Sequence, residues 1–316
     1  MKITQSRIDY VLRLLSHCRP DRSKTEARFI RDYLLSLPQA RSDAFGNVHL
    51  DLRTLPSHRT LFVAHTDTVH HAPGFQSVWY DYKAQLVRTR GQCLGADDGA
   101  GIVVLLHLIR NAIPAYYIFT RGEERGGKGA RYLAETDYKL LEHFDRAIAF
   151  DRRGTSSVIT HQSYGRTCSD TFADALSDCL STDALMYAPD PTGVYTDTAE
   201  FLDTIPECTN ISVGYQNEHT SKETLSIPHL FALMARVVEI PWDELPTARD
   251  PYALEIDSGT LWGSGSSLYG PDFWTSNPST PSASPKTPPQ AESWTEWDTD
   301  PQTGIATSPW RKGALQ

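Results

Sequence analysis

The segment Ala115-Tyr-Tyr-Ile-Phe-Thr-Arg-Gly-Glu-Glu-Arg-Gly-Gly127 passes from an apolar run to an acidic turn within a few residues. The run to Phe119 predicts a buried strand, and Gly122 breaks it just before the adjacent carboxylates of Glu123 and Glu124. Two neighbouring acids repel one another and are costly to desolvate unless cations sit beside them. A solvated acidic turn is the ordinary fate of such a pair. Its company along the chain sets this one apart. His65 and Asp67 follow the apolar run Thr60–Ala64, Asp97 and Asp98 open a helix, Asp151 ends another apolar run, and His219 follows a further one. Imidazole and carboxylate groups gathered at strand ends suit divalent metal ions of borderline hardness.

Outward from this segment the chain alternates strands and helices. Ile8, Val11, Leu12 and Leu15 recur at helical spacing, and Ser23-Lys-Thr-Glu26 has the capping-box pattern of a second helix running to about Leu37. Residues 48–52 alternate as a half-buried strand, and residues 78–90 read as a hairpin. The small residues of Leu94-Gly-Ala-Asp-Asp-Gly-Ala-Gly101 lead into a buried helix over residues 102–109. Further strands are expected at 115–120, 146–150, 158–161, 185–188 and 210–213. Helices are expected at 130–141, 169–180, 196–202 and 226–239. The order predicts an α/β fold with a mainly parallel central sheet and helices on both faces. In such folds the ligand crevice lies beyond the carboxyl ends of the strands, where the candidate ligands fall.

With 316 residues and 40% hydrophobic content the chain supports a substantial core, and a formal net charge of -9 argues against nucleic-acid or anionic-membrane partners. The N-terminal residues lack an apolar signal region and no run approaches membrane-spanning length. Five scattered cysteines without Cys-x-x-Cys spacing read as reduced thiols in a cytoplasmic protein. Residues 1–245 form the expected catalytic domain. Residues 246–316, with half of the 20 prolines and an acidic balance, are expected to be a disordered tail. Trp262, Trp274, Trp294, Trp297 and Trp310 in that tail are either incidental or docking anchors for a protein partner.

Val63-Ala-His65-Thr-Asp67-Thr-Val69, Gly95-Ala-Asp97-Asp98-Gly-Ala-Gly101 and Gly122-Glu123-Glu124, followed by Asp151 and His219 in order, resemble the motifs of the co-catalytic zinc peptidase clan that includes families M20, M28 and M42. Thr196-Asp197 with Phe201 and Ile205-Pro206 is similar to a segment of the family M28 branch. The likeness spans about residues 5 to 240. Family M20 enzymes insert a lid between the aspartate and the final histidine, whereas here only residues 152–218 intervene. The resemblance therefore implies a family M28-like domain without a lid.

That resemblance implies two divalent metal ions, zinc foremost, with cobalt or manganese as alternatives. His65 and Asp151 would hold one, Glu124 and His219 the other, and Asp97 would bridge them. Glu123 would be the general base, and Asp67 would accept the proton on the far nitrogen of His65. Tyr215 either packs in its loop or adds a hydrogen bond. His70, His71 and His161 read as solvated loop histidines, and Asp98 as the cap of the following helix. Arg121, Arg125, Arg152 and Arg153 either solvate loops or favour an anionic substrate. The implied activity is aminopeptidase action on peptides. A deacylase of N-acyl amino acids, or a metal-free binding scaffold, are the alternatives.

Overall fold

The apolar runs pair with one another. The structure, a computed structural model, describes residues 2–162 and 165–253. Eight strands form its main sheet: β1 (Arg41–Ser42), β2 (Val48–Asp51), β3 (Thr60–His65), β4 (Tyr116–Thr120), β5 (Arg146–Arg152), β6 (Ser157–Ile159), β7 (Ala188–Asp190) and β8 (Glu207–Ser212). Their spatial order is β7-β6-β8-β5-β3-β4-β2-β1. The central four, β8, β5, β3 and β4, are parallel. On either side, β2 and β6 run antiparallel to their central neighbours. Register sets His65 beside Thr120, so β3 and β4 end at one edge.

Side chains alternate across a strand, and with both faces of the sheet covered β3 is buried throughout. Phe62 and Ala64 join the core on one face, with Phe119, Phe150 and residues of α1 (Gln5–Leu15), α3 (Ala96–Arg110) and α7 (Ile227–Val237). Leu61 and Val63 face the opposite way, onto Ala130 and Leu133 of α4 (Lys128–Thr136), Phe144 and Phe201. Residues 102–106 and 108–109 of α3 are all buried between the sheet and the other helices, as its unbroken apolar composition requires. Ser23 caps α2 (Lys24–Phe29) by accepting from the Glu26 amide at 3.1 Å.

A second sheet has four strands, in the order Tyr215–Gln216, Thr224–Ser226, Leu86–Thr89 and Val78–Asp81. The hairpin of the last two matches expectation. The first two are too short for any period to show in sequence, yet they carry His219 on the loop between them. Residues 48–50, expected to alternate, are all buried because both faces of β2 are covered: Val48 and Leu50 join the core, and His49 is held by Tyr116 and Asp43. The strand expected at 185–188 falls at Ala188–Asp190, and residues 152–218 supply β6, β7, β8 and the helix Asp170–Leu180 rather than a separate lid.

The backbone past Leu245 is tied to the domain. Arg146 donates to the Leu245 carbonyl at 2.9 Å and to Thr247 Oγ1 at 3.0 Å, and the amides of Ala248 and Arg249 donate to Glu207 at 2.7 and 3.0 Å. The first residues assigned above to the tail thus pack on the sheet, because Glu207 and Arg146 are buried and require partners. The rest of that segment, with its five tryptophans, lies outside the described residues. Among the described residues, no helix is long and apolar enough to cross a membrane.

Candidate metal centre

His65 closes β3 and Asp151 lies near the end of the adjacent β5, so two donors emerge side by side at the carboxyl edge of the sheet. Glu124 follows β4 in a 3-10 turn, and Gly122 and Gly127 on its flanks take left-handed conformations, with φ of 74° and 63°, that favour glycine. Asp97 stands at the irregular start of α3. His65 Nε2 is 3.0 Å from Asp97 Oδ1 and 3.7 Å from Asp151 Oδ1. His219 Nε2 is 3.1 Å from both Asp97 Oδ2 and Glu124 Oε1. Two groups of three donors result, His65–Asp97–Asp151 and Asp97–Glu124–His219, each with donor atoms within 4.8 Å of one another. Asp97 belongs to both and turns one oxygen to each.

The electrostatics fit divalent cations. Burial, then the Asp97 charge, pushes Glu124 up to about 7 and Asp151 up to about 6. Burial raises Glu123 well above the usual range against the opposing pull of His65, and the charges of Asp151, Glu124 and Asp197 add to it. For Asp97, burial acts upward but is outweighed by hydrogen bonds from His219 and His65, which hold it low. The Asp97 and Glu124 carboxylates, each 3.1 Å from its ring, take His219 up to about 11. The protein's own cations do not balance these acids. Glu124 Oε1 is buried without a hydrogen bond although His219 Nε2 is near, so their orientation suits a shared ion better than a shared proton. Mixed imidazole and carboxylate donors in groups of three suit zinc, cobalt or manganese.

Glu123 belongs to neither group, and its side chain makes no hydrogen bond among the described residues, yet it lies within the field of His65 and Asp151. Asp67 offers His65 Nδ1 two acceptors, of which its main-chain carbonyl is the nearer. His65 Nδ1 donates to the main-chain carbonyl of Asp67 at 3.1 Å, while the Asp67 carboxylate stands off at 3.6 Å. The carboxylate instead accepts from the amides of Gly122, Glu123 and Glu124 at 2.9, 3.1 and 3.2 Å, three donors that hold it away from the ring. Asp98 caps the helix as expected, accepting from the Gly101 amide at 2.9 Å, and also from the His65 amide at 3.2 Å.

Asp151 is held from several directions. Tyr215, buried, donates to its carbonyl at 3.0 Å with Oδ1 3.2 Å away, Thr196 Oγ1 donates to Oδ2 at 2.8 Å, and Asn210 pairs with its backbone. His70 is buried rather than solvated, bridging Thr68 Oγ1 and the Cys93 carbonyl. Arg121 does not await an anion: it pairs at 2.5 Å with the fully buried Glu26, because that carboxylate needs a partner. Arg152 donates to Thr192, and Arg153 pairs with Glu218 at 2.9 Å. Sequence reasoning missed Glu26 as an ion-pair partner, and it missed Glu223. Only the capping box flagged the former, and nothing local flagged the latter.

The sequence of residues 47–233 matches the family model described as Peptidase family M28. Comparison with curated proteins finds no match. Among solved structures, the fold resembles aminopeptidase PepT from Bacillus cereus, at 14% identity and TM-score 0.61 over 75% of this chain and 97% of that one. It also resembles an aminopeptidase from the archaeon Desulfurococcus kamchatkensis, at 14% identity and TM-score 0.57 over 79% and 99% of the two chains. A third similar structure is the TET1 peptidase of Pyrococcus horikoshii, described as assembling into a tetrahedron or a large octahedral shell, at 17% identity and TM-score 0.56 over 73% and 98%. At these identities the shared property is the fold.

Proposed function

Since this chain belongs to peptidase family M28, we propose that it is an aminopeptidase that uses two divalent metal ions, zinc foremost, to hydrolyse peptides at a free N-terminus. The observation that carries this reading is the pair of donor groups sharing Asp97. His65 and Asp151 would hold one ion and Glu124 and His219 the other, with Asp97 contributing to both. When bound, such a pair acidifies water and polarises the scissile carbonyl. Glu123, outside both groups but beside them, takes the proton of the attacking water and returns it to the leaving amine. The hydrogen bond from His65 Nδ1 to the Asp67 carbonyl fixes the tautomer that leaves Nε2 free as a donor.

The surroundings favour a substrate ammonium over a substrate carboxylate. Asp67, Glu123 and Asp197 lie beside the centre without being assigned to an ion, Arg121, Arg152 and Arg153 are engaged elsewhere, and Arg125 is exposed on the turn. An N-acyl amino acid offers only a carboxylate to these acids. The five cysteines, all free and four of them buried, suit a reducing compartment, and the cytoplasm is the proposed location. Hydrolysis of a peptide library with free and with acetylated N-termini, supplied in turn with zinc, cobalt and manganese, tests the reading. Free N-termini should be cleaved and acetylated ones spared. Preference for acetylated substrates would overturn the aminopeptidase assignment, and failure to bind any of the three metals would overturn the centre itself.

A further inference from the structure

Glu223 is 2% exposed and lies at the end of the loop that carries His219, immediately before the strand Thr224–Ser226. Its carboxylate does not face that loop. Oε2 accepts from the amides of Leu94 and Gly95 at 2.8 and 3.1 Å, and Oε1 from those of Ala96 and Asp97 at 2.8 and 3.2 Å. Four consecutive backbone donors thus fill the acceptor capacity of one carboxylate. The last of them belongs to Asp97, the residue common to both donor groups. The turn between His219 and Glu223 is itself closed by the Glu223 amide on the Thr220 carbonyl at 3.1 Å. One side chain therefore ties the segment that presents Asp97 to the segment that presents His219.

From this geometry we infer that Glu223 is a positioning residue that sets the separation of Asp97 and His219, and thereby the affinity of the ion held by Asp97, Glu124 and His219. The inference rests on the two-metal reading above. It is the counterpart of the Asp67 carboxylate, which gathers the amides of Gly122, Glu123 and Glu124 and so fixes the opposite side of the centre. Glu223→Gln preserves shape but turns an amide donor toward two amide donors of the Leu94–Asp97 segment, which must then move apart.

Glu207 provides the control. It is equally buried and also accepts four hydrogen bonds, from the amide and hydroxyl of Ser169 and the amides of Ala248 and Arg249, but it lies at the start of β8, away from the carboxyl edge. Zinc titration against a competing chelator should show two equivalents bound by the full-length wild-type chain. Glu223→Gln should weaken one of them on the order of 10–100-fold, the usual consequence of removing a group that orients a metal ligand. Glu223→Asp, which keeps the charge, should recover part of the loss. Glu207→Gln should lower the melting temperature while leaving both equivalents at wild-type affinity. Wild-type affinity in both Glu223 variants, or an equal loss in Glu207→Gln, would overturn the positioning role while leaving the two-metal centre standing. If the wild-type chain binds no zinc, the centre falls and the inference with it. Should Glu223→Gln not fold, the Glu223→Asp titration decides: it must fall between wild type and metal-free.

Discussion

Glu123 and Glu124 are neighbours of identical chemistry whose substitutions should fail differently. In a 3-10 turn successive side chains point about 120° apart. That divergence places Glu124 in the group with Asp97 and His219 and leaves Glu123 outside it. Glu124→Gln replaces a charged oxygen donor by a neutral amide, so bound metal should fall and excess metal should recover part of the activity. Glu123→Gln keeps the shape and the metal but cannot accept a proton. Its kcat should drop by roughly 10²–10⁴, the usual worth of a positioned general base, with KM little changed and no recovery on adding metal. Metal analysis and kcat on both variants check this, and loss of metal in Glu123→Gln with retention in Glu124→Gln would reverse the roles. These residues were legible in the sequence because each follows an apolar run whose meaning is local. The groups that orient them were not. Glu223 meets its partners 126–129 positions away in the chain, and the Asp67 carboxylate meets amides some 55 positions away. Backbone amides leave no mark in a sequence.

At the scale of elements, α2 and the 3-10 turn are joined by the Glu26–Arg121 pair. Glu26 is fully buried and accepts from Arg22 N at 2.6 Å, Thr66 Oγ1 at 2.8 Å and Arg121 at 2.5 and 3.0 Å. The capping-box spacing announced Glu26, but its carboxylate serves the turn of another element, while Ser23 alone caps the helix. The same burial explains why Arg121 was misread: an arginine beside an acidic turn reads as solvated until its partner is known. Arg121→Ala leaves a buried carboxylate without its cation, which should cost about 3–5 kcal/mol in denaturant unfolding. Glu26→Leu combined with Arg121→Met, replacing the pair by apolar groups of similar volume, should restore most of that stability. If Arg121→Ala raised KM with no loss of stability, the residue would be a substrate contact and the brace would be disproved. The strands β3, β4 and β5 were read to within two residues because their apolar runs are long, whereas α3 begins at Ala96, ahead of the apolar run at 102–109 from which it was read. The strand Thr224–Ser226 exists through pairing with Leu86–Thr89, and Tyr215–Gln216 through pairing with Thr224–Ser226, and no local pattern of two or three residues reveals that.

At the scale of the whole molecule, the composition shift after Leu245 marks where apolar periodicity stops, but hydrogen bonding continues beyond it. Glu207 receives two of its four bonds from Ala248 and Arg249, and the Arg249 guanidinium donates to the carbonyls of Leu202, Ile205 and Pro206 at 3.0, 3.2 and 2.9 Å. This clasp closes the amino ends of β5 and β8, opposite the metal centre, where Arg146 also holds Leu245 and Thr247. We therefore propose that the catalytic domain runs to about Ala253 and that residues 254–316 add nothing to its stability. A chain ending at Ala253 should melt cooperatively at the full-length temperature with its metal content intact. A chain ending at Leu245 removes two donors from a buried carboxylate together with every Arg249 bond. It should lose about 3–5 kcal/mol, since hydrogen bonds to charged groups contribute about 1.5–3 kcal/mol each and do not add in full. For a domain of this size that is a fall on the order of 10 °C. Calorimetry on the two truncations and the full chain separates the cases. Equal melting of all three would place the boundary back at Leu245, whereas a marked fall in the Ala253 chain would show that the Trp-containing segment packs on the domain.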